Sequence, residues 1–481
     1  MFPYEHLIGI EKDSKTPVYR QIAISVTKAV RNGVIKPGTI LPGSRELAGI
    51  LGVHRKTVTA AYEELASQDW ITIVPRKHAV VSESIPLLNP QKWNPVRSSY
   101  EHDLTIPFKT ADNKADNEIS FPLPELIIDD GHPDIRLSPI DALLKTYRSL
   151  TSRKYTAKHV IAGTVQGTLQ LRSELVTYLS ETRGLNLSAD NLLITHGAQM
   201  SIYLTAQLLL GPGSTVIMSR PDYPLAKRVF EQTGARVPEV EADENGIRTD
   251  AIEMLCKKHR INAVYVIPHH HYPTTVTLSA ERRMKLLELS AHYQFAVIED
   301  DYDYDYHYTS SPYLPLASAG HNGNVLYIGS FSKVLDPSIR IGFMAAPKNF
   351  TDQCTALRKL IDAGGDGYMQ NALASLIREG ELRRHLKKAR KCYHQRRDLL
   401  DALLKTRLSE YVSYTLPSGG MAVWVRLKPD YPVSALNTDP RLRIIRTDME
   451  QNAFRFGFAS MNEKELTQAV GLLENCLQRM K

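Results

Sequence analysis

From about residue 119 onward, short apolar runs rich in β-branched residues alternate with stretches of helical pattern. The runs include "NLLIT", "STVIMSR", "NAVYVI", "FAVIED", "NVLYIGS" and "IRIGFMAAP", with helical segments such as "ERRMKLLELSAHY" between them. That alternation predicts a mostly parallel sheet covered by helices on both faces. In such sheets the chemistry gathers at the carboxyl ends of the strands. The residues that follow each run are therefore the candidates for function. With 481 residues and 43% hydrophobic content, the chain can hold two or three domains with sizeable cores. No run of about 18 apolar residues is present, so no membrane span is expected. The start of the chain has no basic segment followed by an apolar stretch, which argues against a signal peptide. Cys256, Cys354, Cys392 and Cys476 are scattered without CxxC spacing, so neither a zinc ribbon nor a disulfide framework is suggested.

After "LLIT" come His196, Gly197, Ala198 and Gln199 and then a helix, a glycine turn that can seat a phosphate on backbone N–H groups. "VIMSRP" is followed by Asp222, Tyr223 and Pro224, and "VYVI" by "PHHHYPTT". "FAVIE" runs into "DDYDYDYHY" from Asp300, and "VLYIG" into "SFSKVLDPSIRIG" with Ser330, Ser332, Lys333 and Arg340. The acidic stretch alone could be a metal site, a solvated loop or a partner for something positive. Three consecutive histidines suggest metal to the eye, but neighbours on an extended chain point in alternate directions and cannot easily share one ion. A lysine set among serines at a strand end, across from an aspartate, suggests a Schiff-base lysine. Pyridoxal 5'-phosphate (PLP) needs such a lysine, an aspartate on its ring nitrogen and a cationic phosphate cradle. Successive strand ends here supply all three.

The first 82 residues carry a net charge of +4 out of +7 for the whole chain, a bias that points to nucleic acid. "TPVYRQIAISVTKAVRNG" reads as a helix stopped by Gly33. "GSRELAGILG" reads as a second helix with Ser44 as N-cap, and "RKTVTAAYEELASQ" as a third. In the third, Val58, Ala61, Tyr62 and Leu65 form the buried stripe, leaving Arg55, Lys56, Thr57 and Thr59 outward near its start. Two short helices around a tight glycine turn, the second opening with basic and hydroxyl residues, follow helix-turn-helix logic. Ser44 and Arg45 join the candidate DNA-facing set. "WITIVPRKHAVV" alternates like a hairpin with Arg76 and Lys77 at its tip, as a wing would to reach phosphates.

"GSRELAGILGVHRKTVTAAYEEL" resembles the winged helix of GntR-type bacterial regulators, with two departures. His54 stands where the family has a capping serine, and histidine is a poor cap. The tip "PRKHA" lacks the family's glycines. Residues 83–118 hold four prolines and no sustained period, as in a linker. "VIEDDYDYDYHY" and "YIGSFSKVLDPSIRIGF" resemble fold-type I aminotransferases, and specifically the MocR/GabR-type regulators, which join a GntR winged helix to an aminotransferase-like domain. The resemblance covers nearly the whole chain. It implies a mainly α winged helix-turn-helix over 1–82, a linker over 83–118, and an α/β aminotransferase-like domain with a smaller C-terminal α+β subdomain over 119–481.

Carried over residue by residue, Lys333 is the catalytic, PLP-binding lysine. Asp300 faces the pyridinium nitrogen, Tyr302 the ring's phenolic oxygen, and Tyr223 stacks on the ring. Arg340, Ser330, Ser332 and the backbone at Ala198 and Gln199 hold the phosphate, and Tyr272 lies in the cofactor loop. Arg455 forks onto the carboxylate of an amino compound. Two further departures are Thr275, where relatives have glycine, and Ala162, where relatives have a tyrosine that reaches the neighbouring subunit's cofactor. The resemblance implies a cytoplasmic bacterial regulator, a head-to-tail homodimer, that binds promoter DNA and responds to an amino compound or PLP. Two alternatives stay open: a working aminotransferase with a vestigial winged helix, and a PLP-free regulator.

Overall fold

The computed structural model describes residues 3–11, 14, 16–74, 78–84, 103–104, 106–107, 124–152, 165–308 and 314–480. The chain forms two compact units, Met1–Lys114 and Ala115–Lys481.

The first unit has helices α1 (Tyr4–Leu7), α2 (Val18–Arg31), α3 (Ser44–Leu51) and α4 (Arg55–Ser67). Strands β1 (Ile40–Leu41), β2 (Ile71–Ile73) and β3 (Ala79–Val81) form an antiparallel sheet in the order β1-β3-β2. Its core is the expected stripe of α4, namely Val58, Ala61, Tyr62 and Leu65, packed on Ile22, Val26 and Val30 of α2 and Leu47 of α3. Tyr62 adds an anchor, its hydroxyl donating to Pro42 O at 2.7 Å. Two capping expectations are corrected. Gly43, not Ser44, is the N-cap of α3, and its N–H donates to the Glu46 carboxylate. His54 does cap α4: its Nδ1 accepts from the Lys56 N–H at 3.2 Å, an acceptor role that a neutral imidazole can fill.

In the second unit, β4 (Leu126–Ile128) lies outside the main sheet. The main sheet contains β5 (Leu192–Thr195), β6 (Val216–Arg220), β7 (Glu239–Asp243), β8 (Gly246–Ile247), β9 (Ala263–Val266), β10 (Ala296–Asp301), β11 (Val325–Ser330) and β12 (Gly342–Ala345). The order is β5-β12-β11-β10-β9-β6-β7-β8. β7, β6, β9, β10 and β11 run parallel, while β12 is antiparallel to both its neighbours and β8 to β7.

Strand alternation sorts the side chains of β10 to two sides. Ile298 packs with Met218, Tyr265, Ile328 and Met344 under Ile202, Phe230 and Cys354 of three helices. Val297 packs with Ile217, Val264 and Val325 under Ile252 and Leu286 of two others. Both faces are thus covered, as the alternation of runs predicts. A further sheet of β13 (Val412–Tyr414), β14 (Ala422–Leu427), β16 (Thr447–Asp448) and β17 (Ala453–Gly457) packs on helices Glu381–Arg407 and Glu463–Gln478. β15 (Leu442–Ile444) pairs in parallel with β4. No helix among the described residues is long and apolar enough to cross a membrane.

Candidate functional site

Beyond the carboxyl ends of β5, β6, β9, β10 and β11 lies a cavity of about 400 Å³. Ala198, Gln199, Tyr223, Tyr272, Asp300, Tyr302, Ser330, Ser332, Lys333 and Arg340 all line it. The fold therefore gathers segments more than a hundred residues apart that the sequence ties only to strand ends.

The phosphate side is built from close backbone. Gly197 sits at φ +96° and caps the helix Ala198–Leu209, so the first N–H groups of that helix face the cavity end. A Cβ on Gly342 would lie 2.7 Å from Gly197 Cα, and one on Gly197 would lie 2.7 Å from Arg340 Nη2. Arg340 donates to His196 O at 2.7 Å, which holds its guanidinium beside this turn. The Ser332 N–H donates to Ser330 Oγ at 3.1 Å. Buried Gln199 Oε1 and Ser332 Oγ have no hydrogen-bond partner among the described residues.

On the opposite wall, the Asp300 Oδ2 atom accepts from Tyr265 OH at 2.7 Å, while buried Oδ1 accepts from nothing described. Burial is the main reason its carboxyl is pushed up to about 7, with Asp301, Asp222 and Asp303 adding to the rise. An exposed or already satisfied carboxylate would need no further donor. This one is short of a donor or a cation at Oδ1. Tyr223 meets Tyr272 edge-on, with ring centroids 5.4 Å apart. Lys333 Nζ donates to Gly131 O at 2.8 Å and lies 3.7 Å from Asp130 Oδ1.

Tyr302 and Arg455 meet differently from the simplest expectation. The Tyr302 hydroxyl donates to His270 O at 2.9 Å and accepts from Arg455 Nη2 at 2.8 Å. Arg455 also donates from Nε to Asp130 O and from Nη1 to Pro273 O, and its guanidinium lies 4.9 Å from the Tyr272 ring centre. It is 1% exposed and stands behind the tyrosines rather than on the cavity wall. Arg446 donates to Tyr272 OH at 2.6 Å.

The acidic stretch is neither a solvated loop nor a shared cation cage. Asp301 pairs with His269 at 3.0 Å and accepts from Tyr327 OH, Asp303 pairs with His270 at 2.9 Å, and Asp305 pairs with Arg183 at 2.8 Å. His271 turns to Ser219 and Thr274, and Ser219 in turn donates to Asp222. The three histidines of "PHHHYPTT" thus serve separate partners, and no cluster able to hold a metal occurs among the described residues. Thr275 is buried at φ +64°, in the left-handed region that disfavours a β-branched side chain. Ala162 lies outside the described residues.

Sequence reasoning missed Asp130, His132 and Tyr265. Asp130 and His132 line the cavity, and Tyr265 holds Asp300 from the neighbouring strand. A polar hydroxyl inside the buried run "AVYV" was the available signal for Tyr265. The run "DDGHP" offered none beyond its charge, because the short strand before it pairs with β15 rather than with the main sheet.

In the first unit, Arg45, Arg55, Lys56 and Thr59 are exposed, and Ser44 and Thr57 half-buried. Arg55 Nε donates to Ser44 Oγ at 3.3 Å, which ties the starts of α3 and α4. The hydroxyl of Thr59 turns back to Arg55 O. Arg76 and Lys77 lie outside the described residues.

Two family models match the chain: bacterial regulatory proteins of the gntR family over residues 18–81, and aminotransferase class I and II over residues 146–473. An HTH-type transcriptional regulator of Bacillus subtilis, YdfD, is 30% identical over 431 residues, 89% of this chain and 88% of that one. The HTH-type pyridoxine biosynthesis transcriptional regulator PdxR of Corynebacterium glutamicum is 27% identical over 82% of this chain and 81% of its own length. Among solved structures, the Pyrococcus horikoshii kynurenine aminotransferase superposes with a TM-score of 0.68 at 26% identity, over 74% of this chain and 92% of that one. The chain belongs to the aminotransferase class I and II family, in the MocR/GabR-type arrangement that sets a gntR-family winged helix ahead of the aminotransferase-like domain.

Proposed function

We propose that this chain is a cytoplasmic, PLP-dependent transcription regulator that binds promoter DNA through residues 1–82 and senses an amino compound through residues 119–481, with 83–118 as the linker. One observation carries the reading. The chain has both a helix that opens with exposed Arg55 and Lys56 and a cavity lined by Lys333, Ala198 and Asp300, whose Oδ1 accepts no hydrogen bond among the described residues.

The lining fits PLP. Asp300 would neutralise a protonated ring nitrogen, which relieves the cost of its burial. The Ala198 and Gln199 N–H groups, Ser330, Ser332 and Arg340 would hold the phosphate, and Tyr223 would cover the ring. Tyr302, fixed by Arg455, would orient its hydroxyl to the phenolic oxygen. When bound, PLP supplies a carbonyl that condenses with primary amines and a ring that withdraws electrons. Lys333 would hold it covalently until an amine takes that place. Arg455, held behind the tyrosines by Asp130 O and Pro273 O, would have to come forward to the cavity wall to pair with an effector carboxylate. An effector that binds two domain arrangements unequally would change the spacing of two winged helices on DNA. A head-to-tail homodimer supplies the second winged helix, and paired half-sites follow.

On α4, Arg55 would read a base edge, with Lys56, Thr57, Thr59, Ser44 and Arg45 beside it, and Arg76 and Lys77 would carry the wing. The test joins two measurements. Purified protein should show a visible absorbance band that Lys333→Ala abolishes, and it should footprint its own upstream region. A band with sustained conversion of amine to keto acid and no footprint would replace this reading with an aminotransferase. A footprint with no band after PLP is added would leave a PLP-free regulator.

A further inference from the structure

Lys333 reaches across the cavity to a segment no strand-end argument picks out. Asp129, Asp130 and Gly131 follow β4 and are fixed from several sides. Asp129 Oδ1 accepts the N–H groups of Gly131 at 2.7 Å and His132 at 3.0 Å, and its Oδ2 accepts from Ser460 Oγ at 2.6 Å. Arg455 Nε holds Asp130 O at 2.7 Å. The segment lies so close to β17 that a Cβ on Gly457 would fall 2.0 Å from Asp129 Oδ1 and 2.6 Å from Gly131 N. Gly131 itself sits at φ +98°. This clamped turn presents two acceptors to Lys333 Nζ: Gly131 O at 2.8 Å and Asp130 Oδ1 at 3.7 Å. Asp130 Oδ1 is buried and accepts no hydrogen bond among the described residues, though His132 Nδ1 stands 3.2 Å away. Tyr272 OH donates to Asp130 Oδ2 at 3.3 Å. Burial works against the charge on Asp130, but Lys333, His132, Arg455 and Arg446 outweigh it and hold the carboxyl well below its ordinary range.

We propose that Asp130 and the Gly131 carbonyl form a dock for the free ammonium of Lys333, and that the dock sets how readily an amine displaces Lys333 from the cofactor. The inference rests on the PLP-dependent reading above. In that exchange an ammonium enters and an ammonium leaves. The C=N bond from the cofactor carbon to Nζ breaks, one to the incoming nitrogen forms, and the protons of the incoming ammonium pass to Nζ. Asp130 stabilises the leaving side, because only a released Nζ can lie on Gly131 O and beside the carboxylate together. Asp130 is thus a positioning residue for Lys333.

The experiment titrates PLP-loaded protein with methylamine, the smallest primary amine with no carboxylate of its own, and follows the visible band. Asp130→Asn should keep PLP at least as tightly as the wild type yet require about tenfold more methylamine at the midpoint, the factor that ~1.4 kcal/mol of lost stabilisation represents. Asp130→Glu, which keeps the charge, should recover part of the shift. A purely structural role predicts the opposite sign for PLP: weaker retention in Asp130→Asn together with any change in midpoint. That outcome, or a midpoint within about twofold of the wild type, would overturn the dock. A wild type with no visible band would instead sink the PLP-dependent reading itself.

Discussion

The two faces of β10 solve opposite problems with the same side chain. On the face toward the cavity, Asp300 has one donor, Tyr265, and its carboxyl is pushed up to about 7. On the other face, Asp301 is as deeply buried, yet its carboxyl is lowered to about 2, because His269, Arg183 and Tyr327 outweigh the cost of burial. Glu299 shares that second face and is pushed up to about 8 by burial and by Asp301, although it accepts the Leu316 and Ala317 N–H groups. Burial is common to all three, so it does not distinguish them. What differs is the cation or donor that the neighbouring elements bring. Asp301 is paired and holds the fold together, Glu299 stays raised despite two N–H donors, and Asp300, with one donor, lines the cavity where a ligand can complete it.

Substitution should reverse the sign between the faces. Asp301→Asn leaves His269 without its carboxylate, while Arg183 keeps Asp305, and should destabilise the large domain by about 3 kcal/mol, the usual cost of breaking a buried pair. Urea unfolding of the cofactor-free protein measures it. Asp300→Asn keeps the acceptor for Tyr265 but removes a charge that costs free energy to bury. At pH 8 it should stabilise the cofactor-free domain by about 2 kcal/mol while weakening PLP retention, read from the urea midpoint and from dialysis of the band. Destabilisation by Asp300→Asn would erase the contrast.

The pH dependence separates the two aspartates without mutation. Asp300 and Glu299 have raised folded pKa values, so between about pH 4 and pH 8 the folded state holds protons the unfolded chain has released. Stability of the cofactor-free domain should therefore fall as pH rises through that window. Asp301 has a lowered value, so its contribution is present above about pH 4 and lost as pH falls toward about 2. Unfolding midpoints across pH check both slopes, and Asp300→Asn should flatten only the upper one. The smallest effect asks whether the cavity side also carries backbone strain. Thr275→Gly removes a β-branched residue from φ +64° and should stabilise by ~1 kcal/mol in the same assay.

The gathering of the cavity was legible because period and punctuation survive in a linear chain. β-branched runs marked β5, β6, β9, β10, β11 and β12, and the polar residues just after them were the ones that converge. The stripe of α4 could be read in the same way, since Val58, Ala61, Tyr62 and Leu65 are set by helical spacing alone. The caps were not read correctly. Whether Gly43 or Ser44 caps α3 depends on one residue's dihedral angles, and the value of His54 as a cap depends on which ring nitrogen faces the Lys56 N–H. The resemblance gives Arg455 as the fork for an effector carboxylate, but its position behind the tyrosines comes from the register of β17 on β14, where it lies opposite Trp424.

By itself, the sequence determined the two-part architecture, the alternation that makes the sheet, and the residue types that end up on the cavity wall. These follow from periodicity and local chemistry, which need only near neighbours along the chain. Only the tertiary structure decided which carboxylates are paired and which are left open. Tyr265 comes to Asp300 from the adjacent strand, His269 to Asp301 from a loop, Arg183 to Asp305 from a helix more than a hundred residues away, and the Asp130 turn to Lys333 from outside the main sheet. Charge in a low-dielectric interior is governed by what lies within a few ångströms in space, and spacing along the chain does not encode that distance.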